Sequence, residues 1–238
     1  MTPNPPLADL LDYLSDIGYG DAYLRPRAAA SKVVEPATEP RSAAEAGAAP
    51  GARAAVLATI GEEASRCTAC KLAAGRHSVV FGSGNPAADL IFIGEGPGAE
   101  EDRQGLPFVG RAGELLTRMI QAMEMRRDEV YIANIVKCRP PGNRDPEPDE
   151  VAACRSFLER QIQTIQPRVL CALGRVAAQT LLGVDTPIGR LRGQWHEKNG
   201  IPMMVTYHPA ALLRNPAFKR PTWDDLQQVR DRLRTRAE

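Results

Sequence analysis

The sequence has no long apolar segment: none of its runs approaches the roughly 18 consecutive apolar residues that a membrane-spanning helix requires. It also has little net charge, since 30 basic residues face 29 acidic ones, so no overall field attracts nucleic acid or a membrane surface. The start of the chain lacks a basic stretch and contains several aspartates, which is untypical of a secretory signal. We therefore expect a cytoplasmic protein that does not act at a membrane.

Composition divides the chain into three parts. Residues 1–25 carry leucines at helical spacing and predict an N-terminal amphipathic helix, whose partner the sequence does not identify. Residues 26–56 are rich in alanine and proline and contain no aromatic residue, which predicts a flexible linker. Residues 57–238 have the size and patterning of one domain, which we expect to be a monomer.

The third part alternates apolar runs with amphipathic helices. Four runs predict strands: Leu90–Gly94, Val130–Val136, Arg168–Leu173 and Pro202–Tyr207. Strands that alternate with helices favour a parallel sheet with helices on both faces. We therefore predict an α/β fold, a three-layer α/β/α sandwich around a central, mainly parallel, four-stranded sheet. In such sheets the functional site lies at the carboxyl ends of the strands.

The loop after the first strand is rich in glycine and in acids. Gly94 and Gly96 let the main chain approach a ligand closely. Four carboxylates, beginning with Glu95, disfavour an anionic phosphate. The loop therefore fits a neutral ligand with many hydrogen-bonding groups, and it fits a surface turn with solvated acids equally well. Phe108, further along, is either a platform on which a base stacks or a core anchor beneath the loop.

Two polar side chains lie at the ends of other predicted strands. Asn134 offers a donor and an acceptor together, which suits the amide-like edge of a base; its alternative role is to satisfy nearby main chain. His208 precedes Pro209 at a predicted helix start, where an imidazole can donate to developing negative charge. The alternative for His208 is a capping or surface histidine.

Basic residues are concentrated between positions 188 and 220. This stretch contains six basic residues, including Arg190, Arg192 and Arg214, and only one acidic residue. A solvated surface explains the pattern, and close to a site it also suits contacts with a phosphate backbone.

Among the residue patterns, the cysteines most strongly indicate a specific site. Cys67 and Cys70 form a C-x2-C pair, and Cys138 and Cys154 follow after a long interval. Four thiolates suit either zinc or an iron–sulfur cluster, and their spacing does not choose between them. Cys171 stands inside an apolar strand and is interpreted as a buried structural thiol.

Three segments together resemble the family 4 uracil-DNA glycosylases, from about Cys67 to the last helix. They are GEGPGAEEDRQGLPFVGRAG, NIVKCRPPGNRDPEPDEVAAC and YHPAALLRNP, in that order. The resemblance implies that the four cysteines hold a [4Fe–4S] cluster. It also implies that the protein binds DNA containing uracil, releases the base and leaves an abasic site, initiating base excision repair.

The resemblance also implies roles for individual residues. Gly94–Gly96 line the uracil pocket, Phe108 stacks on the base, Asn134 reads its edge and His208 contacts its O2. Glu95 is the first candidate for positioning water and Glu101 the second. The alternative is a non-catalytic or cross-linking uracil-DNA-binding protein of the same superfamily. The covalent relatives carry a KRRIH segment after the Asn strand, and its absence here favours turnover.

Overall fold

The structure is a computed structural model that describes residues 50–235. The predicted N-terminal helix, residues 1–25, and most of the predicted linker lie outside these residues. Among the described residues, no helix is long and apolar enough to cross a membrane.

A six-stranded sheet forms the centre of the fold. Its strands are β1 (Ser83–Gly84), β2 (Leu90–Gly94), β3 (Tyr131–Asn134), β4 (Val169–Leu173), β5 (Trp195–Lys198) and β6 (Ile201–Thr206). They lie in the order β1-β3-β2-β4-β6-β5. The four inner strands run parallel, whereas β1 and β5 pair antiparallel at the two edges. The prediction is therefore confirmed for the parallel centre and wrong in the number of strands.

The two edge strands lack the pattern by which the inner strands were recognised. All residues of β2 and β4 are buried, so these strands read as continuous apolar runs. By contrast, β1 has only two residues, and β5 is the partly exposed sequence WHEK. A short, half-exposed edge strand needs no apolar run. For this reason neither β1 nor β5 was predicted from the sequence.

Helices cover both faces of the sheet. They are α1 (Pro50–Ser65), α2 (Ala99–Gln104), α3 (Arg111–Ala122), α4 (Pro148–Ile165), α5 (Arg175–Leu182), α6 (Ile188–Leu191), α7 (Pro209–Arg214) and α8 (Lys219–Arg234). Successive strand residues point to opposite faces. Leu90 and Phe92 accordingly belong to a core shared with α3 and α8, while Ile91 and Ile93 belong to a core shared with α4 and α5. The predicted three-layer α/β/α arrangement is confirmed.

The predicted linker extends too far along the chain. We predicted flexible chain up to residue 56, but α1 begins at Pro50. Leu57 and Ile60 are buried, and the Arg53 guanidinium donates to the carbonyl of Ile165 at the end of α4 (2.9 Å). Alanine has the highest helix propensity, so an alanine-rich stretch free of internal proline becomes helical once a neighbouring helix covers it.

Candidate active site

Asn134 ends β3 in the centre of the sheet, and its side chain is 2% exposed. Its Oδ1 atom is buried and has no hydrogen-bond partner among residues 50–235. Gly94 ends the neighbouring strand β2, and a Cβ atom there would lie 2.5 Å from this oxygen. Only glycine therefore leaves room beside the carboxamide. Since buried polar atoms are nearly always bonded, a free Oδ1 in a glycine-lined space marks a place for a ligand.

Phe108 closes the same space from a second direction. A Cβ atom at Gly94 would lie 2.6 Å from the Phe108 ring, whose centroid is 5.4 Å from that of His208. The ring is only 6% exposed and belongs to the core. Its main chain has φ +52°, a left-handed conformation that is unusual for an aromatic residue. Gly113 packs beneath it, where a Cβ atom would lie 1.8 Å from the Phe108 carbonyl oxygen.

Two charged side chains hold the Phe108 loop in this conformation. One carboxylate oxygen of Glu101 accepts from the amides of Val109 (3.0 Å) and Gly110 (3.1 Å). Arg127 donates to the Phe108 carbonyl (3.0 Å), and burial lowers the pKa of this arginine. Glu101 is thus occupied by main-chain amides, so the second candidate for positioning water is wrong. The next residue, Asp102, is buried, and its carboxylate accepts from the main-chain amides of His77 and Ser78.

His208 is the N-cap of α7. Its Nδ1 accepts from the Ala210 amide (3.1 Å), which leaves the ring proton of the neutral imidazole on Nε2. Desolvation, helped by the charge of Arg214, lowers the pKa of His208 to about 4. The ring is therefore neutral near pH 7 and keeps one N–H donor, on Nε2. Gly174, with φ +91°, permits its close approach, because a Cβ atom there would lie 2.9 Å from the His208 Cβ.

Glu95 follows β2 directly and is partly buried at the carboxyl edge of the sheet. Its carbonyl accepts from the Val136 amide (3.1 Å), which joins the loops after β2 and β3. Desolvation raises the pKa of its carboxyl to about 7; the charge of Asp145 adds to this rise and that of Arg175 opposes it. A carboxyl group with a pKa near the working pH can serve as a base, and perturbed groups of this kind concentrate in functional sites.

The predicted site residues Gly94, Phe108, Asn134 and His208 therefore adjoin one another, with Glu95 next to Gly94 in the chain. Gly96 lies beside the loop after β3, where a Cβ atom would meet Val136 at 2.8 Å. Sequence reasoning missed Gly174 and Arg127, since only the fold brings them to His208 and Phe108.

The basic stretch is only partly available to DNA. Arg190 and Arg214 are exposed. Arg192 instead forms a salt bridge with Asp225, whose side chain is 1% exposed, and donates to the carbonyl of Pro221 (2.6 Å). Thr206 also donates to Asp225 (2.6 Å). The assignment of Arg192 to phosphate contacts is therefore wrong, and this arginine holds α8 against the end of α6, while Thr206 joins α8 to β6.

The four predicted cysteine ligands converge. Cys67, Cys70, Cys138 and Cys154 line one small cavity whose other walls are mainly alanines and Phe157. Two of the sulfurs accept N–H donors: Cys138 from Arg76 (3.3 Å) and Cys154 from the Lys137 amide (3.2 Å).

The donor set around this cavity, four thiols from three segments of the chain, is one that would fit an iron–sulfur cluster. Within residues 50–235 no three His, Cys, Asp or Glu side chains are grouped closely enough to hold one metal ion. In a [4Fe–4S] cluster each iron takes one cysteine, so the four sulfurs stand further apart. Cys171 is fully buried in β4, and burial raises its pKa, as expected of a structural thiol.

Comparison with known proteins agrees with this fold. The family described as "Uracil DNA glycosylase superfamily" matches residues 81–227, and the chain belongs to that superfamily. The Type-4 uracil-DNA glycosylase of Saccharolobus solfataricus is 44% identical over 186 residues, which cover 74% of this chain and 86% of that protein. The Type-4 enzyme of Thermotoga maritima is 43% identical over 184 residues, covering 75% and 95%. Within the superfamily, the chain belongs to the type-4 uracil-DNA glycosylases.

Proposed function

We propose that this protein hydrolyses the N-glycosidic bond of deoxyuridine in DNA, releasing uracil and leaving an abasic site as the first step of base excision repair. The observation that carries the proposal is the unpartnered, buried Oδ1 of Asn134 beside Gly94 and Phe108. This arrangement suits a flat, neutral ring with an amide-like edge. A base in a duplex reaches such a pocket only by leaving the stack, which costs a few kcal/mol and least for damaged or unpaired bases.

Asn134 supports recognition of uracil by its edge. The free Oδ1 accepts from the N3–H of uracil, and the amide nitrogen donates to O4. Cytosine presents the opposite donor and acceptor pattern at these two positions. The Phe108 ring supports the base from one face, since aromatic stacking accepts any base and leaves the choice between bases to the amide.

His208 supports departure of the base. Cleavage of the glycosidic bond leaves negative charge on uracil, including its O2 atom. The Nε2–H of the neutral imidazole donates a hydrogen bond to that oxygen without having to transfer its proton. Such a donor acts mainly on charge that develops in the transition state.

Glu95 supports the attack of water. The ionised carboxylate of Glu95 accepts a proton from the water molecule that attacks C1′ of the sugar. Its negative charge also stabilises the positive charge that develops on the sugar. Water then supplies the new C1′–O bond, while the electron pair of the broken C1′–N1 bond leaves with uracil.

We assign Cys67, Cys70, Cys138 and Cys154 as the ligands of a [4Fe–4S] cluster. Bound there, the cluster supplies cross-links between three segments of the chain and takes no part in the hydrolysis. Cys67 and Cys70 precede the Lys71–Ala74 turn, Cys138 lies in the loop after β3, and Cys154 lies in the first half of α4. Anchoring these cysteines to one cluster would fix the loop after β3. Exposed Arg190 and Arg214 contact the DNA backbone in this proposal.

A uracil-release assay tests the proposed function. An excess of protein is mixed with an oligonucleotide containing one deoxyuridine, single- or double-stranded, and free uracil is measured over time. We expect stoichiometric release and a strand that alkali cleaves at the abasic site. His208→Ala should slow the release. His196→Ala is its matched control and should retain activity, because His196 lies on the edge strand β5 and its ring contacts the carbonyl of Leu191. Tight binding without release, or an adduct that survives denaturation, would replace this function by the binding or cross-linking alternative.

A further inference from the structure

The side chain of Lys137 is 1% exposed, yet it carries an ammonium group. Its Nζ donates to the main-chain carbonyl of Asn134 (2.9 Å) and to the Oε1 of Gln161 (2.6 Å). Both acceptors are neutral oxygens. An apolar side chain of the same length would be buried at a lower cost, so the ammonium is retained at the expense of stability. What it gains is a charge-assisted hydrogen bond to the residue that recognises the base.

That bond completes the fixation of one peptide plane. The amide of Ile135 donates to the carbonyl of Gly94 (2.9 Å), and Lys137 donates to the Asn134 carbonyl in the same peptide group. The plane that follows Asn134 is therefore held on its N–H side by β2 and on its C=O side by Lys137. Because this peptide plane begins at the Cα of Asn134, holding it in place also holds the point from which the carboxamide projects into the space beside Gly94.

The main chain of Lys137 connects this bond to the cysteine site. Its amide donates to the Cys154 sulfur (3.2 Å), and the next residue is Cys138. The cysteine site thus sets the main chain from which the lysine side chain reaches back to Asn134. Gln161 fixes the far side of the ammonium, since its own amide nitrogen is bonded to the carbonyl of Phe81 (2.9 Å).

We propose that Lys137 is a positioning residue that acts through Asn134 and links the orientation of the pocket carboxamide to the cysteine site. This inference rests on the proposed function, because it assigns a determinant of uracil recognition. Lys137 touches neither the base nor the reacting atoms.

The test measures base recognition apart from catalysis. The probe is DNA containing a 2′-fluorinated deoxyuridine, which the enzyme binds without cleavage, and the reference is the same DNA with 2′-fluorinated deoxycytidine, whose base presents the opposite donor and acceptor pattern to the Asn134 carboxamide. The ratio of the two dissociation constants is compared in wild type, Lys137→Met, Asn134→Ala and the double variant. Lys71→Met is the matched control, because Lys71 also neighbours a cysteine but is half-exposed and pairs with Glu147.

We expect Lys137→Met to lower the preference for the uracil analogue about 10- to 100-fold, as misplacement of a binding group does, while Lys71→Met leaves it unchanged. In the Asn134→Ala background, Lys137→Met should cause no further loss. A wild-type preference in Lys137→Met would overturn the inference, and so would an equal further loss in the double variant, since the lysine would then act on the fold in general.

Iron content and visible absorption report whether each variant keeps its cluster. If Lys137→Met does not fold, Gln161→Met removes the second acceptor of the ammonium and should give a smaller loss with the same dependence on Asn134. A loss in Gln161→Met that persists without Asn134 would refute the inference. Failure of the proposed function is distinguishable, because the wild-type protein itself would then show no preference for the uracil analogue.

Discussion

The pKa of Glu95 gives the proposed mechanism a pH dependence that can be calculated. With a pKa of about 7, about 9% of this carboxyl is ionised at pH 6 and about 91% at pH 8. If the carboxylate is the form that activates water, the single-turnover rate should rise about tenfold between these pH values. His208 adds nothing to this rise, because its pKa of about 4 keeps it neutral throughout the range.

The two charges near Glu95 should move this transition in opposite directions. Removal of the like charge in Asp145→Asn should lower the pKa of Glu95 and shift the rise in rate to lower pH. Removal of the opposite charge in Arg175→Gln should raise the pKa and shift it to higher pH. The assay is uracil release at enzyme excess, at constant ionic strength, with DNA saturating at every pH so that binding does not contribute.

Glu95→Gln should abolish the rise in rate and leave a slow, pH-independent reaction. Glu100→Gln is the matched control, because Glu100 is bonded to Arg103 and Gln104 on the surface of α2 and should leave the profile unchanged. A flat wild-type profile from pH 6 to pH 8, or a Glu95→Gln variant that keeps the tenfold rise, would refute the assignment of Glu95.

Four further predictions address other parts of the site. His208→Ala should slow single-turnover release about 100- to 1000-fold while affinity for the uncleavable analogue stays nearly constant; normal chemistry with reduced stability would leave His208 only its capping role. Gly94→Ala should weaken analogue binding, because the added Cβ would lie 2.5 Å from the Asn134 oxygen, and unchanged affinity would place the base elsewhere. The anaerobically purified protein should be brown, with iron and acid-labile sulfide that Cys67→Ala loses; stoichiometric zinc would contradict the cluster. Arg192→Ala should lower the melting temperature, since it leaves a buried carboxylate unpaired, and should not change the dependence of DNA affinity on salt.

The fold was predictable where burial produces a pattern in the sequence. The inner strands are buried on both faces and appear as apolar runs, whereas β1 and β5 lie at edges and depend on pairing partners distant in the chain. Composition alone led to the wrong prediction at residues 50–56: their alanine-rich sequence resembles the linker before it, but these residues form a helix that packs beside α4.

The candidate site was predictable where a residue follows a strand, and not where its partner lies elsewhere. Asn134 and Glu95 are recognisable because parallel strands end at one edge. The roles of Glu101 and Arg192 depend on partners that no spacing reveals, so both were assigned to the wrong task. The buried position of Lys137 could not be predicted, because a lysine is normally expected at the protein surface.

The conformation of Phe108 has a consequence for how a base enters. Its left-handed main chain is held by Glu101 and Arg127 and closed from below by Gly113. The conformational entropy of the Phe108 loop is therefore lost during folding, before any ligand binds. In the proposed function, an extruded nucleotide would therefore bind without rearrangement of the aromatic wall, because that wall is already in its bound conformation. We then expect the slow step of binding to be the rotation of the target nucleotide out of the helix, into a pocket that is already in its final shape.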